Sequence, residues 1–382
     1  MSKEYSIETR CVHAPAEDEK KHPYGSVSVP IFQTATFTHP GIGETNGFDY
    51  TRESNPTRAE LEHVVSGLEG AVDTVACNTG MSAIALCFEL LEEGSHVICS
   101  EDLYGGSVRL FESSGRRHGL AFSYIDTSDA ELVERSIGPD TKALFIETPS
   151  NPTMKITDLA KMREIADEHD LLLIVDNTFL SPYFQNPLKL GADLVVHSGT
   201  KFLGGHNDTL AGFVCSGSER LAERVRYVFK TVGCGLSPFD SFLLIRGIKT
   251  LAVRMERQQS NALAVASWLK QQKKIRKVCY PGLAEHPGYE LNLRQSRGFG
   301  SMISFWTDTE ETARHILEHV QLITYAESLG GVDSLITYPM LQTHGDVPVS
   351  QREKLGITEN FLRLSVGIEN EDDLIRDLEQ AI

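Results

Sequence analysis

The sequence lacks the features of a membrane, secreted or nucleic-acid-binding protein. No apolar run approaches the roughly 18 residues that a membrane span requires, and the N-terminal residues Met1–Tyr5 are polar, unlike a signal peptide. Basic residues are few: 36 Lys and Arg stand against 53 Asp and Glu, a net charge of −17. Such an acidic chain is poorly suited to nucleic acid or an anionic membrane. We therefore expect a soluble cytoplasmic protein that binds neither.

Metal and disulfide motifs are also scarce. The seven cysteines include no Cys-x-x-Cys pair and are odd in number, which argues against a disulfide framework or a zinc site. One segment, His315-Ile-Leu-Glu-His319, matches the inverted zinc-protease pattern. No third ligand accompanies it, and two histidines on a solvated helix face usually bind nothing. We predict no metal.

Apolar strand-like runs alternate with amphipathic helical ones across residues 56–245. This alternation predicts an α/β domain with a seven-stranded, mostly parallel sheet covered by helices on both faces. Residues 1–55 show no sustained period, and we interpret them as an extended N-terminal arm that contacts a partner subunit. Residues 246–382 predict a smaller α+β domain. The predicted strands are Thr74–Cys77, His96–Ser100, Phe122–Ile125, Ala143–Glu147, Leu171–Asp176, Leu194–His197 and Gly212–Cys215.

A lysine follows one of these strands in the stretch Asp193–His206. Lys201 comes after a buried run and the small residues Ser198 and Thr200, at the sheet edge where α/β proteins hold ligands. A desolvated lysine loses its proton readily and can form a Schiff base, and the flanking hydroxyls suit a phosphate. The alternative is a surface lysine in a βα loop.

Two other strand ends carry side chains that suit a ring-shaped cofactor. Asp176 ends a buried strand 25 residues before Lys201, one helix-and-strand step away, so the two can share an edge of the sheet. Tyr104 follows another strand and can stack on a ring or transfer a proton. The alternatives are an aspartate that caps a turn and a tyrosine that only packs.

Further candidates suit anions. The segment around Gly80 and Met81 opens a helix, where backbone N–H groups favour a phosphate. Tyr50 and Arg52 point the same way on an extended segment and can clamp a phosphate. Arg363 lies in an apolar strand, where a cation usually has an anionic partner. That partner can be a substrate carboxylate or an acidic side chain in a structural salt bridge.

Together these motifs resemble the Cys/Met metabolism family of pyridoxal 5'-phosphate (PLP) enzymes, which includes the cystathionine γ-synthases, γ-lyases and β-lyases and the methionine γ-lyases. The resemblance extends over essentially the whole chain. It rests on Ser28–Ile31, Tyr50–Thr57, Thr79–Met81, Glu147–Pro152, Val175–Thr178, His197–Phe202, Arg246–Thr250, Glu327–Gly331 and Arg363–Gly367.

The resemblance implies a fold of the aspartate aminotransferase type (fold type I) and a role for each matched residue. Lys201 would hold PLP as an imine and shuttle protons, Asp176 would pair with the ring nitrogen, and Tyr104 would stack on the ring. Gly80, Met81, Ser198 and Thr200 would bind the phosphate, and Asn151, Ser328 and Arg363 would orient the substrate carboxylate. Tyr50 and Arg52 would reach the phosphate in a neighbouring subunit of a homodimer, itself part of a homotetramer.

Within the family, an acid at the position of Glu327 resembles the γ-synthases and γ-lyases that handle cystathionine. A carboxylate there can bind the distal ammonium group of cystathionine. We therefore predict γ-elimination or γ-replacement on sulfur amino acids, with cystathionine β-lyase or methionine γ-lyase as alternatives. Gly106 departs from methionine γ-lyase, which has a cysteine there, and the Tyr338–His344 stretch departs from the usual Met-Thr-His pattern. A non-catalytic α/β ligand-binding protein is a more distant alternative.

Overall fold

The structure is a computed structural model that describes residues 5–13, 22–345, 347 and 349–382. Its strands are β1 (Asp73–Cys77), β2 (His96–Ser100), β3 (Ala121–Ile125), β4 (Thr141–Glu147), β5 (Leu172–Asp176), β6 (Leu194–Ser198), β7 (Gly212–Ser216), β8 (Ile275–Cys279), β9 (Met302–Thr307), β10 (Thr324–Tyr325), β11 (Leu335–Thr337) and β12 (Phe361–Ser365).

The helices are α1 (Ile7–Val12), α2 (Pro56–Glu69), α3 (Gly80–Phe88), α4 (Gly105–Leu110), α5 (Ala130–Arg135), α6 (Leu159–Glu168), α7 (Ser181–Phe184), α8 (Glu219–Val232), α9 (Pro238–Ile248), α10 (Leu251–Leu269), α11 (Tyr289–Gln295), α12 (Glu310–His319), α13 (Val349–Leu355) and α14 (Glu371–Ala381). Within the described residues, none of them is long and apolar enough to cross a membrane.

A seven-stranded sheet has the order β1-β7-β6-β5-β4-β2-β3. The pairings from β6 through β5, β4 and β2 to β3 are all parallel, whereas β7 runs antiparallel to both β1 and β6. The predicted seven-stranded, mostly parallel sheet is therefore confirmed.

The central strands are apolar throughout because both faces of this sheet are covered. Side chains alternate between the faces of a strand, and in β5 Val175 joins one hydrophobic cluster while its neighbour Ile174 joins the cluster on the other side. In β6, Val195 and Val196 divide in the same way. A strand buried on both faces has no polar alternation, as expected for a parallel sheet between helical layers.

The carboxyl ends of the central strands meet at one edge. Glu147 ends β4 and is the register partner of Asp176, which ends β5, and β6 beside them ends at Ser198. The register of three parallel strands thus brings together polar side chains that lie far apart in the sequence.

A second sheet of five strands has the order β10-β11-β12-β9-β8 and is antiparallel except for the β10–β11 pair. Its core includes Phe305 and Leu362, together with residues of α10 and α14. The predicted α+β character of the C-terminal part agrees with this arrangement. The expected domain limit at 245 falls within the continuous helix α9, which packs against α2. We therefore propose that the limit lies between α9 and α10, near Thr250.

The N-terminal region is extended only in part. Residues Ile7–Val12 form α1, since Ile7 and Cys11 lie one helical turn apart and are both buried in the main core. The sequence pattern predicted an extended arm here and did not predict this helix. Residues 26–54 contain no helix, and the bulky side chains Tyr24, Val27 and Ile42 are almost fully exposed.

Candidate active site

A cavity of about 260 Å³ opens at the carboxyl edge of the large sheet. Eleven of the thirteen predicted site residues line it, and these come from both halves of the chain. They are Gly80, Met81, Tyr104, Asn151, Asp176, Ser198, Thr200, Lys201, Glu327, Ser328 and Arg363.

Lys201 lies just beyond β6, and its Nζ donates a hydrogen bond to Ser328 Oγ at 2.9 Å. Burial lowers the pKa of this amine to about 8, with the nearby Arg363 cation acting in the same direction and Glu327 opposing it. At pH 7 the amine is still mostly protonated, but about a tenth of it is unprotonated and nucleophilic, far more than for an ordinary lysine.

The segment that supplies Ser328 is tightly constrained. Ser328 itself has a left-handed backbone with φ of +99°, a strained conformation typical of functional sites. Two residues later, Gly330 has φ of +77°, and a Cβ there would lie 2.7 Å from the backbone nitrogen of Phe202. Only glycine lets this segment approach the backbone beside Lys201 so closely.

Asp176 is buried at the end of β5. Its Oδ1 accepts hydrogen bonds from the backbone and side chain of Thr178 at 3.0 and 2.6 Å, while Oδ2 accepts none from the described residues. Burial raises the pKa of this carboxyl. Beside it, His197 pairs with the buried Glu69 at 2.9 Å, and the electrostatic effect of His197 partly offsets the rise in the Asp176 pKa. The site thus contains a carboxylate oxygen able to accept a proton donor from a ligand.

An anion cup forms where α3 begins. Thr79 caps the helix by accepting from the Ser82 N–H at 3.0 Å, and the other N–H groups of the first turn have no intrahelical partner. A Cβ on Gly80 would lie 3.0 Å from Ser198 Oγ, so the helix start and this hydroxyl are in close contact. The Thr200 hydroxyl lies in the same pocket but also bonds the Ala211 backbone.

Tyr104 lies at the rim with 39% of its surface exposed. Its ring packs over Gly106, where a Cβ would lie 2.4 Å from Tyr104 Cε1 and 3.1 Å from Met81 Sδ. The absence of a side chain at 106 therefore sets the position of the ring. The Tyr104 backbone N–H donates to Glu147 Oε2 at 3.0 Å.

Arg363 is 1% exposed and faces the cavity from β12. Its Nη1 donates to Asn151 Oδ1 at 2.7 Å, and Nη2 makes longer contacts of 3.4 and 3.3 Å with Ser328 O and Thr337 Oγ1. Burial lowers its pKa to about 10. Its Nε has no partner among the described residues, so the guanidinium retains capacity to bind a carboxylate.

Tyr50 and Arg52 do not reach this cavity. They line a separate shallow pocket with Pro238, where the Arg52 guanidinium lies 5.6 Å from the centre of the Tyr50 ring and donates to the Lys230 carbonyl. Both side chains are exposed in the single chain.

His315 and His319 have their rings stacked in parallel at 3.8 Å. Each Nδ1 lies within hydrogen-bonding distance of a backbone carbonyl, that of Ala381 for His315 and that of His315 for His319. The two rings therefore do not converge on a common point.

Several residues that line the cavity have no role predicted from the sequence, among them Glu147, Leu210 and Thr343. Burial and the neighbouring Asp176 hold the Glu147 pKa well above its usual range, because two buried carboxyls at adjacent strand ends disfavour each other's charged form. Glu147 carried the same signal as Asp176, an acid at a strand end. Leu210 and Thr343 gave no such signal.

The cavity fits PLP on its own geometry. A desolvated lysine, a buried carboxylate oxygen without a partner, a backbone anion cup and an aromatic ring all border one small space, and PLP requires each of them. The anion cup at the start of α3 and the Asp176 carboxylate lie at different points along the same sheet edge. The cup would bind the phosphate of PLP, and the carboxylate would bind its ring nitrogen.

Comparison with known proteins gives the same answer. The model of the Cys/Met metabolism PLP-dependent enzyme family matches residues 8–382. A cystathionine γ-lyase of Bacillus subtilis (strain 168) is 46% identical over 98% of each chain, and a cystathionine β-lyase of Coxiella burnetii is 45% identical over 100% of this chain and 99% of the other.

A solved structure, cystathionine γ-lyase from Lactobacillus plantarum complexed with L-serine, superposes with a TM-score of 0.96 at 41% identity, covering 99% of this chain and 98% of that one. The predictions of fold type I, of PLP as cofactor and of enzymatic function are thereby confirmed. The chain belongs to the Cys/Met metabolism family of PLP-dependent enzymes, the lyases and synthases of trans-sulfuration.

Proposed function

We propose that this enzyme acts at the γ-carbon of cystathionine-type amino acids. The observation that carries the proposal is the position of Glu327, a carboxylate that lines the same cavity as Lys201 and Arg363. Cystathionine has a carboxylate near its reacting carbon and an ammonium group at its far end. A pocket with a buried arginine inside and an acid at an exposed position complements both charges.

We propose that Arg363 and Asn151 bind the α-carboxylate of the substrate. The pair is already joined by a 2.7 Å hydrogen bond, so the guanidinium is oriented before the substrate arrives. Preorganisation of this kind reduces the entropy lost on binding. Ser328 assists from the strained segment, and Glu327 binds the distal ammonium.

Lys201 is the proton carrier in this proposal. PLP, when bound, supplies a ring that accepts the electron pair left when a proton leaves the α-carbon. The Lys201 amine, with its pKa near 8, removes that proton and passes it on to the bound cofactor. Lys201 is then free to remove a second proton, from the β-carbon, as a γ-reaction requires. When PLP is bound, Asp176 would hold the ring nitrogen in its protonated form and Tyr104 would stack on the ring. The phosphate would be held by Gly80, Met81, Ser198 and Thr200.

Cleavage at the β-carbon is the second candidate. It is favoured by the Coxiella burnetii relative, named a β-lyase, which is nearly as similar to this chain as the γ-lyase of Bacillus subtilis. A β-reaction needs only the first proton abstraction before sulfur leaves, so the same residues would suffice.

The products of cystathionine decide between the two. Cleavage on the γ side releases cysteine, 2-oxobutanoate and ammonia, whereas cleavage on the β side releases homocysteine, pyruvate and ammonia. We expect 2-oxobutanoate, and pyruvate with homocysteine would overturn the γ assignment. Formation of cystathionine from an O-acylhomoserine and cysteine would identify a synthase.

A matched control ties the activity to the proposed lysine. Lys201→Ala should lack the visible absorption band that borohydride removes from the native enzyme, and it should release neither product. Lys249→Ala, at an exposed lysine outside the cavity, should retain both the absorption band and the activity on cystathionine.

We further propose a homodimer, within a homotetramer, in which Tyr50 and Arg52 bind the phosphate in the neighbouring subunit. The proposal is supported by their exposure in the single chain, by the exposed apolar side chains of the preceding segment and by Leu210, which borders the cavity with 60% of its surface exposed.

A subunit-mixing experiment tests this arrangement. Arg52→Ala and Lys201→Ala proteins would each be impaired alone, but a hybrid dimer contains one site with both native residues. Random mixing should restore about one quarter of the native activity. If mixed subunits gain no activity, although native mass spectrometry with one variant isotope-labelled shows that they exchange, Arg52 does not act across the interface.

A further inference from the structure

A second and larger cleft, of about 990 Å³, lies between the two sheets and shares no lining residue with the active-site cavity. One wall is the segment Thr153–Ile156, which follows β4. The opposite wall comes from β8, from the loop that precedes α11 and from Trp306 on β9. The cleft lies within the size range of small-molecule sites.

The charge of this cleft is unusual for so acidic a protein. Arg276 and Lys277 are exposed on its wall, and neither has an ion pair within the described parts of the chain. Lys277 Nζ lies 4.5 Å from the centre of the Trp306 ring. Glu285, the acid of the lining, is paired with Lys270 outside it. Two cations are thus available to a ligand.

The remaining lining is largely apolar. Ile156 and Leu283 belong to this lining and are buried. The third cation, Lys155, is already neutralised by Glu101 and Asp126 at 2.9 and 2.6 Å. A ligand that fits has an apolar body and an anionic group at one end.

The wall of this cleft is joined to the substrate-binding residues. The carbonyl of Pro152 accepts from Ser304 Oγ at 2.6 Å, and that of Thr153 accepts from Cys279 Sγ at 3.1 Å. Asn151 immediately precedes these two residues and accepts a hydrogen bond from Arg363.

Strands β8, β9 and β12 link the cleft to Arg363 by a second route. Ser304 on β9 is the register partner of Arg363 on β12, and β8, which carries Arg276 and Lys277, pairs with β9. The cleft wall and the Asn151–Arg363 pair are thus joined by hydrogen-bonded strands and by consecutive residues of one segment.

We propose that this cleft is a second ligand site, which takes a small organic anion with an apolar body, such as an aromatic carboxylate or sulfonate, and that its occupancy changes substrate binding at Arg363. The coupling to Arg363 rests on the proposed function, whereas the site itself does not.

The probe is 8-anilinonaphthalene-1-sulfonate (ANS), an aromatic sulfonate. The chain has two tryptophans, so the Trp268→Phe holoenzyme emits from Trp306 alone, and energy transfer from Trp306 reports ANS in the cleft. In this background Arg276→Gln/Lys277→Gln should raise the ANS Kd about tenfold or more. The matched double variant Lys249→Gln/Lys273→Gln, which removes two exposed charges outside the cleft, should leave it unchanged. Equal Kd values in the two variants would overturn the site.

The coupling is read from substrate binding, not turnover. The Kd of cystathionine is taken from the change in visible absorption of bound PLP in a stopped-flow experiment, before turnover begins. It should change at least about fivefold when ANS saturates the enzyme, and the effect should disappear in Arg276→Gln/Lys277→Gln. An unchanged cystathionine Kd would overturn the coupling. If the cystathionine product assay fails while ANS binding still depends on Arg276 and Lys277, the site stands and the proposed function does not.

Discussion

Lys201 should destabilise the PLP-free protein, because its ammonium form is buried. The usual lysine pKa of 10.5 applies to the unfolded chain, and burial lowers it to about 8 in the folded one. At pH 7 both states carry the proton, but the folded state carries it in a desolvated pocket. At about 1.4 kcal/mol for each pH unit between the two values, this cost is about 3 kcal/mol.

The sign of the pH dependence follows from proton linkage. Between pH 8 and 10.5 the unfolded chain binds this proton and the folded chain does not, so the free energy of unfolding rises with pH across that window. Below pH 8 the full cost of burying the charge is present. Above 10.5 the lysine is neutral in both states and the cost is absent.

Lys201→Met removes the charge and retains a side chain of similar length. We expect the free energy of unfolding of PLP-free Lys201→Met at pH 7 to exceed that of the native sequence by about 3 kcal/mol, and the difference to vanish near pH 10.5. Urea unfolding of both proteins, at equal subunit concentration and at several pH values, measures it. Lys249→Met, at an exposed lysine, is the control and should show no such trend.

Two results would refute this reasoning. A Lys201→Met protein less stable than the native sequence at pH 7 would mean that the contact with Ser328 outweighs the desolvation of the amine. A gain in stability that is the same at pH 7 and pH 10.5 would mean that packing, not charge, is responsible. Either would also remove the basis for treating Lys201 as an amine poised to lose its proton.

Three further predictions follow from the same cavity. Glu327→Gln should raise the KM for cystathionine about tenfold with little change in kcat, since a charge-assisted contact is lost; an unchanged KM in steady-state kinetics would contradict this role. Gly105→Ala should lower the free energy of unfolding by about 1–3 kcal/mol, because its Cβ would lie 2.0 Å from the Thr343 carbonyl oxygen; Gly138→Ala, with its nearest neighbour at 3.9 Å, is the control, and equal stability of the two variants in urea unfolding would argue against the clash. Asp176→Asn should raise the PLP Kd about tenfold in equilibrium dialysis, through loss of a charge-assisted bond; native affinity would mean that the carboxylate does not face the ring nitrogen.

Much of the fold and of the cofactor site could be predicted from local sequence patterns. Alternation of apolar strands and amphipathic helices has a fixed period, so the seven strands were located to within a residue or two and the parallel sheet followed. The positions of Asp176 and Lys201 after buried strands placed both at one sheet edge, because parallel strands all end there. The antiparallel direction of β7 and the helical turn at Ile7–Val12 were not predicted, since a short apolar run does not specify its direction or period.

The sequence by itself determined which chemistry the chain can perform, because strand ends and glycine positions are local properties. Only the tertiary structure decided the contacts and the pKa shifts of the residues that carry that chemistry. The contact of Lys201 with Ser328 spans 127 residues and that of Arg363 with Asn151 spans 212, and no local pattern encodes contacts at such separations. The lowered pKa of Lys201, the raised pKa of Glu147 and the cationic cleft at Arg276 and Lys277 all arise from burial and from the juxtaposition of distant segments. These conditions exist only when the two sheets pack together.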